Sequence, residues 1–312
     1  MIIDLDWSDW FMDNHNHEEV GGNRFFWVTV LNVVITIAEF VGGILSGSLS
    51  LISDAFHNLG DSFSIVFSYV ASRISKRRQN ARNTFGYKRA EIITAFLNAI
   101  ALGLICVFLM IEAIKRISNP QPIDGNLMLA IAVIGLVANL LSAYLLNAGS
   151  KSNLNMRATY LHIMSDALSS IAIIVGGVLI DLYNWTLVDP IVTILVALYI
   201  IYEAVPIVRQ TARILMQGAP NIDYEAIKHD LLQIDGVFSV HHVHAWSIDE
   251  NNIIFSAHVN MHDMKISEAE PIYLEITKVL KNKYHVCHVT IQAETTRGED
   301  EDIIYDRGND IP

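Results

Sequence analysis

Asp54-Ala55-Phe56-His57-Asn58-Leu59-Gly60-Asp61 interrupts an apolar run spanning residues 49 to 72, and His162-Ile163-Met164-Ser165-Asp166 interrupts another spanning 158 to 180. Both stretches contain His-x-x-x-Asp. If both runs are helical, a spacing of four puts the two side chains on one face, one turn apart. Two such helices facing each other present two imidazoles and two carboxylates, a complete tetrahedral N2O2 shell for zinc whose carboxylates also offset the ion's charge. A single polar residue in such a run is readily explained by helix packing. Four ionisable groups at ligand spacing call for a partner, because each aspartate at mid-membrane costs about 2.5–3.5 kcal/mol on insertion scales.

The runs belong to a chain of 312 residues that is 52% hydrophobic and only 17% charged, too apolar for an ordinary soluble protein. Six apolar runs, 25–45, 49–72, 92–114, 126–148, 158–180 and 186–208, are long enough to cross a bilayer. The first lacks the basic n-region and cleavage site of a signal peptide, since an acidic stretch precedes it. Arg73, Lys76, Arg77, Arg78, Arg82, Lys88 and Arg89 fall between the second and third runs, whereas Lys115 and Arg116 alone mark the opposite side. The positive-inside rule therefore predicts cytoplasmic termini. A formal net charge of -12 argues against a nucleic-acid partner. Most of it lies in residues 1–23 and 296–312, which read as solvated acidic tails. Two cysteines, Cys106 and Cys287, exclude a disulfide framework.

From Gly218 onward the pattern changes to short amphipathic units. Residues 222–234 read as a helix, 237–248 and 253–261 as strands joined by Asp249-Glu250-Asn251-Asn252, and Val286 to Glu294 as a third strand. Ser267 with Glu270 reads as a capping box opening a helix to about residue 282. The α-β-β-α-β order suggests a small α+β domain of ferredoxin-like character. The predicted organisation is thus an acidic tail (1–23), a six-helix membrane domain (24–209), a cytoplasmic α+β domain (210–295) and a second acidic tail (296–312).

Further acids lie within the apolar runs. Glu39, Asp54, Glu112, Asp189 and Glu203 suit either proton-relay and water-cavity roles or structural ones. Asp54, nearly one turn before His57, is the most suggestive, and Asp54 and Glu39 are carried forward as proton-handling or supporting residues.

Gly47-Ser48-Leu49-Ser50-Leu51-Ile52-Ser53-Asp54-Ala55-Phe56-His57 with Asp61, then Asn83-Thr84-Phe85-Gly86-Tyr87-Lys88-Arg89-Ala90-Glu91, His162 with Asp166, Val188-Asp189-Pro190 and Leu215-Met216-Gln217-Gly218-Ala219-Pro220 resemble the cation diffusion facilitator family over about residues 24 to 295. The resemblance is to its zinc-transporting branch. It implies a homodimeric, proton-coupled exporter of divalent metal in a lipid bilayer, with His57, Asp61, His162 and Asp166 as the transport site. The expected substrate is Zn2+, with Cd2+, Co2+ and Ni2+ as further candidates. Some members carry another metal site in the loop after the second helix, built with His and Asp; residues 73–90 contain neither. Gln217 stands where relatives commonly have an acid. The short loop Gly149 to Arg157 lacks the His-rich insertion of many eukaryotic relatives, which points to a bacterial inner-membrane member.

Eight of the twelve histidines lie after residue 218. Strand alternation places His242 and His244 on one side of the first strand and His241 on the other. By the resemblance, His241, His258 and Glu294 are the leading ligand candidates for a cytoplasmic metal, with Gln292 and Glu270 behind them. His15-Asn16-His17 is comparable to a His-Cys-His tail motif that reaches a cytoplasmic site in some members, with Asn in place of the middle residue. His229, His262 and His285 read as exposed. Two rival functions remain open at this level. A metal hydrolase lacks its His-Glu-x-x-His motif, and four protein ligands leave no position for catalytic water. A membrane-anchored sensor or scaffold would bind metal without transporting it.

Overall fold

The computed structural model describes residues 19–150, 154–298 and 301–304, with side chains described for all of these except 19–27, 29, 65, 146–150 and 154–162. Six long helices come first: α1 (Glu19–Ser46), α2 (Leu49–Ser75), α3 (Arg89–Ser118), α4 (Gly125–Ser150), α5 (Leu154–Tyr183) and α6 (Val188–Leu215). Helices are the form an apolar run takes in lipid, because every backbone N–H and C=O must be satisfied within the segment. Among the described residues four stretches are long and apolar enough to cross a membrane, Arg89–Ser118, Gly125–Leu145, Ile163–Tyr183 and Val188–Leu215, and a shorter apolar helix spans Val30–Ser46. The protein is therefore a multi-pass membrane protein. Helix α2 is less apolar because Asp54, His57 and Asp61 lie on it.

The chain divides into two compact units. In the first, α4 packs along both α5 and α1. A Cβ added at Gly42 of α1 would lie 2.7 Å from Ile131 of α4, so the small residue sets how closely these helices approach. Leu51, Met128, Ile173, Ala197 and Ile200 form the central core of this unit.

The second unit holds the loop between α2 and α3 together with the C-terminal residues. After α7 (Tyr224–Leu232) come β1 (Val237–Ser247), β2 (Ile253–Met261), α8 (Ile266–Tyr284) and β3 (Val286–Glu294). β2 is central, antiparallel to β1 and parallel to β3. Alternate residues Phe255, Ala257 and Val259 of β2 are fully buried and pack with Ile227 and Leu231 of α7 and Ile276 and Leu280 of α8. The opposite face of β2 carries His258 and Asn260.

Three expectations are corrected here. Helix α8 starts two residues earlier than Ser267-Glu270 suggests: Lys265 is the capping residue, and Glu268 at the third helical position accepts its backbone N–H at 3.1 Å. A serine already inside the first turn has helical backbone angles and cannot cap it. Strand alternation holds only in part at the histidines of β1: the His242 and His244 rings meet at 4.9 Å, as expected of one side, but the register around them is broken. His241 pairs with His258 and His244 with Ser256, so His242 and Val243 together oppose Ala257, and His242 adopts φ 51°. This bulge turns His242 toward His258, where the rings stack at 4.5 Å, instead of leaving it opposite His241. Finally, the acidic segment after residue 295 is not all solvated tail. Ile303 is part of the domain core, and its carbonyl accepts Val243 N–H at 2.9 Å, satisfying backbone that the bulge removes from the ladder.

Candidate metal centres

In the membrane unit, the turns of α2 and α5 bring His57, Asp61 and Asp166 together. His57 Nε2 lies 3.4 Å from Asp166 Oδ1 and 3.8 Å from Asp61 Oδ2. A tetrahedron with metal–ligand bonds of about 2.0–2.1 Å has an edge of about 3.3 Å, so these separations suit ligands of one small ion. His57 and Asp166 are buried, and Asp61 is half-buried. His162 is placed on α5, one turn before Asp166, and its side chain lies outside the described part.

The neighbouring acids separate into distinct roles. Asp54 is 1% exposed, and its Oδ1 has no hydrogen-bond partner among the described residues. Glu39 is equally buried and accepts a 2.8 Å hydrogen bond from Asn58, the residue after His57. A Cβ at Gly135 of α4 would fall 2.5 Å from Glu39 Oε1, so the glycine makes the space this carboxylate occupies. Asp189 is structural: it accepts hydrogen bonds from the Ser48 and Ser50 hydroxyls and from the Leu49 and Ser50 backbone N–H groups. Glu112 pairs with Lys115 and Arg116 at the end of α3. Glu203 accepts from Tyr199, whose hydroxyl meets Ser165 beside Asp166 at 2.5 Å. That short chain of hydroxyls escaped the sequence reading because serine and tyrosine within an apolar helix carry no spacing rule of their own.

The second cluster lies in the C-terminal domain. His241 Nε2 is 3.3 Å from Glu294 Oε2, and His258 Nδ1 is 3.2 Å from Glu294 Oε1. One ligand atom from each of the three residues lies within 4.8 Å of the others. The sheet produces this grouping, because His241 is the cross-strand partner of His258 and β3 runs parallel on the other side of β2. His241 is 1% exposed, yet among the described residues both its ring nitrogens and Glu294 Oε2 lack hydrogen-bond partners. Buried orphan donors and acceptors are costly unless something else satisfies them, and a divalent metal would satisfy His241 Nε2 and Glu294 Oε2, the two that face each other. The donor set of two imidazoles and a carboxylate fits zinc. Burial pushes the Glu294 carboxyl up, but the hydrogen bond from Gln292 together with His258, Arg297 and His241 outweighs it and holds the group below its ordinary range.

The remaining candidates fall outside this grouping. Gln292 reaches Glu294 Oε1 at 2.7 Å and so steadies the carboxylate. Glu270 is exposed on α8, and His229 and His262 are exposed as expected. His285, also exposed, ends α8 in a left-handed conformation at φ 56°. His15 and His17 lie outside the described residues. Sequence reasoning missed Gly298: its φ is 68°, and a Cβ there would lie 2.2 Å from His241 Nε2.

Residues 25–216 match the cation efflux transmembrane domain, and residues 219–296 match the cytoplasmic domain of cation efflux proteins. The chain is 39% identical to a cadmium, cobalt and zinc/H(+)-K(+) antiporter of Bacillus velezensis, over 90% of this chain and 92% of the relative. It is 36% identical to the zinc transporter ZitB of Pectobacterium atrosepticum, over 95% and 93% of the two chains. The metal cation efflux system protein CzcD of Cupriavidus metallidurans is 33% identical over 92% of each. Two buried His and carboxylate clusters, one among membrane helices and one in a small α/β domain, thus sit in a chain matched along nearly its whole length, and the chain belongs to the cation efflux family.

Proposed function

We propose that this chain exports divalent metal, Zn2+ foremost, from the cytoplasm in exchange for protons by alternating access. The observation that carries the reading is the 3.4 Å approach of His57 on α2 to Asp166 on α5, with Asp61 at 3.8 Å. In this reading His57, Asp61, His162 and Asp166 hold the ion as substrate. Metal loading needs neutral imidazole nitrogen and ionised carboxylate, so protons and metal compete for one site, and exposing it to either side in turn exchanges them. The activities named for the Bacillus and Pectobacterium relatives support zinc, cadmium and cobalt as cargo, and that of the Cupriavidus relative supports metal cation efflux; the N2O2 donor set also accepts nickel. The chain is a transporter and not an enzyme. Asp54 and Glu39 act beside the site as proton-handling groups.

The accompanying architecture is six membrane spans within residues 24–209, acidic tails at 1–23 and 296–312, and a ferredoxin-like cytoplasmic domain from residue 210 to 295, with Ile303 adding to its core. Both termini face the cytoplasm of a bacterial cell whose inner membrane holds the protein, as the basic loop after α2 favours. The cytoplasmic domain joins two copies into a homodimer, and zinc held by His241, His258 and Glu294 tightens it. The deciding experiment is flux in sealed proteoliposomes across a panel of metals with an imposed pH gradient. Zinc movement against the proton gradient is expected. Tight binding of zinc with no flux would replace this reading with a membrane-anchored sensor.

A further inference from the structure

The loop between α2 and α3 is built and not merely basic. Residues 73–90 contain seven Lys and Arg and no acid. The Asn80 side-chain oxygen accepts the backbone N–H groups of Arg82 and Asn83, each at 2.9 Å, and its amide reaches the Tyr87 hydroxyl at 3.0 Å. Gly86 N–H closes a further turn on Asn83 O at 3.0 Å, and Gly86 holds φ 76°, a conformation that side chains disfavour. The Phe85 ring packs edge-on against His288, 5.8 Å away. These contacts shape a cavity of about 490 Å3 at the end of α2, lined by Ser75, Lys76, Arg77, Arg78, Phe85 and Lys88 among others.

The charge of this cavity is not neutralised from within. Among the described residues, Lys76, Arg77, Arg78 and Lys88 form no ion pair. Glu91, the acid nearest in sequence, accepts the Ser75 hydroxyl at 2.6 Å. Arg73, by contrast, is engaged: it donates to the Tyr69 hydroxyl at 3.2 Å and lies over that ring. A bias toward basic loops accounts for the residue types, but not for a preformed concavity lined by four cations that have no ion pair among the described residues, in a chain of net charge -12.

We propose that this cavity binds a phosphate anion at the membrane surface. Guanidinium forks and ammonium groups on the residues lining one space match the several acceptor oxygens of a phosphate group, and a preformed pocket keeps the ordering cost of binding small. Anionic lipid headgroups and free phosphate share this chemistry. The loop leads directly into α3, a helix long and apolar enough to cross a membrane, which brings it to the depth of headgroups, so an anionic phospholipid is the expected source. The site is independent of the metal centres and does not rest on metal transport.

The test uses the purified full-length protein exposed to equimolar phosphatidylglycerol and phosphatidylcholine, with bound lipid read by native mass spectrometry. The variant Lys76→Gln/Arg77→Gln/Arg78→Gln/Lys88→Gln leaves Arg73, Arg82 and Arg89 to maintain topology. Each basic group near an anionic surface strengthens binding by about fivefold, so the variant should lose phosphatidylglycerol preference by at least about tenfold. Arg77→Lys/Arg78→Lys retains the charge and should retain most of that preference, which guards against misfolding of the quadruple variant. Phosphatidylglycerol preference that survives millimolar inorganic phosphate identifies a headgroup site. Stabilisation of wild type, and not of the quadruple variant, by inorganic phosphate without any lipid preference identifies free phosphate. Equal lipid retention by wild type and the quadruple variant, with no differential response to phosphate, overturns the proposal.

Discussion

The backbone N–H of Leu49 donates to Asp189 Oδ2 at 2.8 Å, so the first turn of the helix bearing His57 is capped by a carboxylate 140 positions further along the chain. Ser48 and Ser50 complete the arrangement at Oδ1, and Thr193 bonds back to the Asp189 carbonyl at 2.8 Å. A helix N-terminus leaves unpaired N–H groups and a partial positive charge. Asp189 answers both needs from the first turn of α6, joining that helix to the start of α2.

Asp189→Ala should therefore destabilise the full-length protein in detergent by at least about 2 kcal/mol, the joint loss of a helix cap and of charge-assisted hydrogen bonds. Thermal melting checks this, and a melting temperature equal to wild type would show that the cap is dispensable.

Within the proposed transport site, Asp61→Ala and Asp166→Ala should each abolish zinc flux into proteoliposomes while leaving the protein folded. Each removes one of the two carboxylates near His57 Nε2. Wild-type flux from either variant would remove that aspartate from the site.

His57→Asp tests selectivity instead of activity. The substitution makes an oxygen-richer and looser shell, which a larger ion tolerates better. Transport of Cd2+ relative to Zn2+ should rise, measured as competing fluxes in one preparation. A constant ratio would mean that His57 does not choose the metal.

How much of this was legible in the sequence follows from the range of each interaction. His57 and Asp61 are one helical turn apart, so spacing alone places them together, and the same rule relates His162 to Asp166. The cross-helix distance from His57 to Asp166 is tertiary, yet two matching pairs anticipate it. The stacking of His242 on His258 was not legible because a β-bulge is set by pairing with β2, which nothing local to Val240-His241-His242-Val243 reveals. Ile303 was missed for a similar reason: an apolar pair among acids looks like a tail until the strand that needs its carbonyl is in place. Asp189 was ambiguous because its donors lie at Ser48 to Ser50, far away in sequence.

For the cytoplasmic cluster, His241→Ala combined with His258→Ala should eliminate zinc-dependent thermal stabilisation of that domain in the full-length protein. A bound ion contributes RT ln(1 + [L]/Kd), about 2.7 kcal/mol at a hundredfold excess over Kd. Transport should slow without stopping, because these ligands belong to the C-terminal domain and not to the membrane helices. Complete loss of flux would refute a regulatory role, and undiminished zinc stabilisation would refute the ligand assignment.

Gly298→Ala separates the shape of that site from its ligands. The residue contributes no donor side chain, but its φ of 68° and the 2.2 Å that would separate a new Cβ from His241 Nε2 leave no room for a methyl group. Left-handed backbone costs an alanine about 1–2 kcal/mol, and the collision acts on the nitrogen nearest Glu294. The chain can relieve both by lifting Gly298 away, or His241 can rotate; either displaces the wall of the site while His241, His258 and Glu294 all remain. Disturbing the support of a metal ligand typically weakens binding by about 10–100-fold. Calorimetric titration should therefore show a loss of at least about tenfold in zinc affinity at this site, with flux at saturating zinc nearly unchanged. Wild-type affinity in Gly298→Ala would show that the segment after β3 does not shape the metal site.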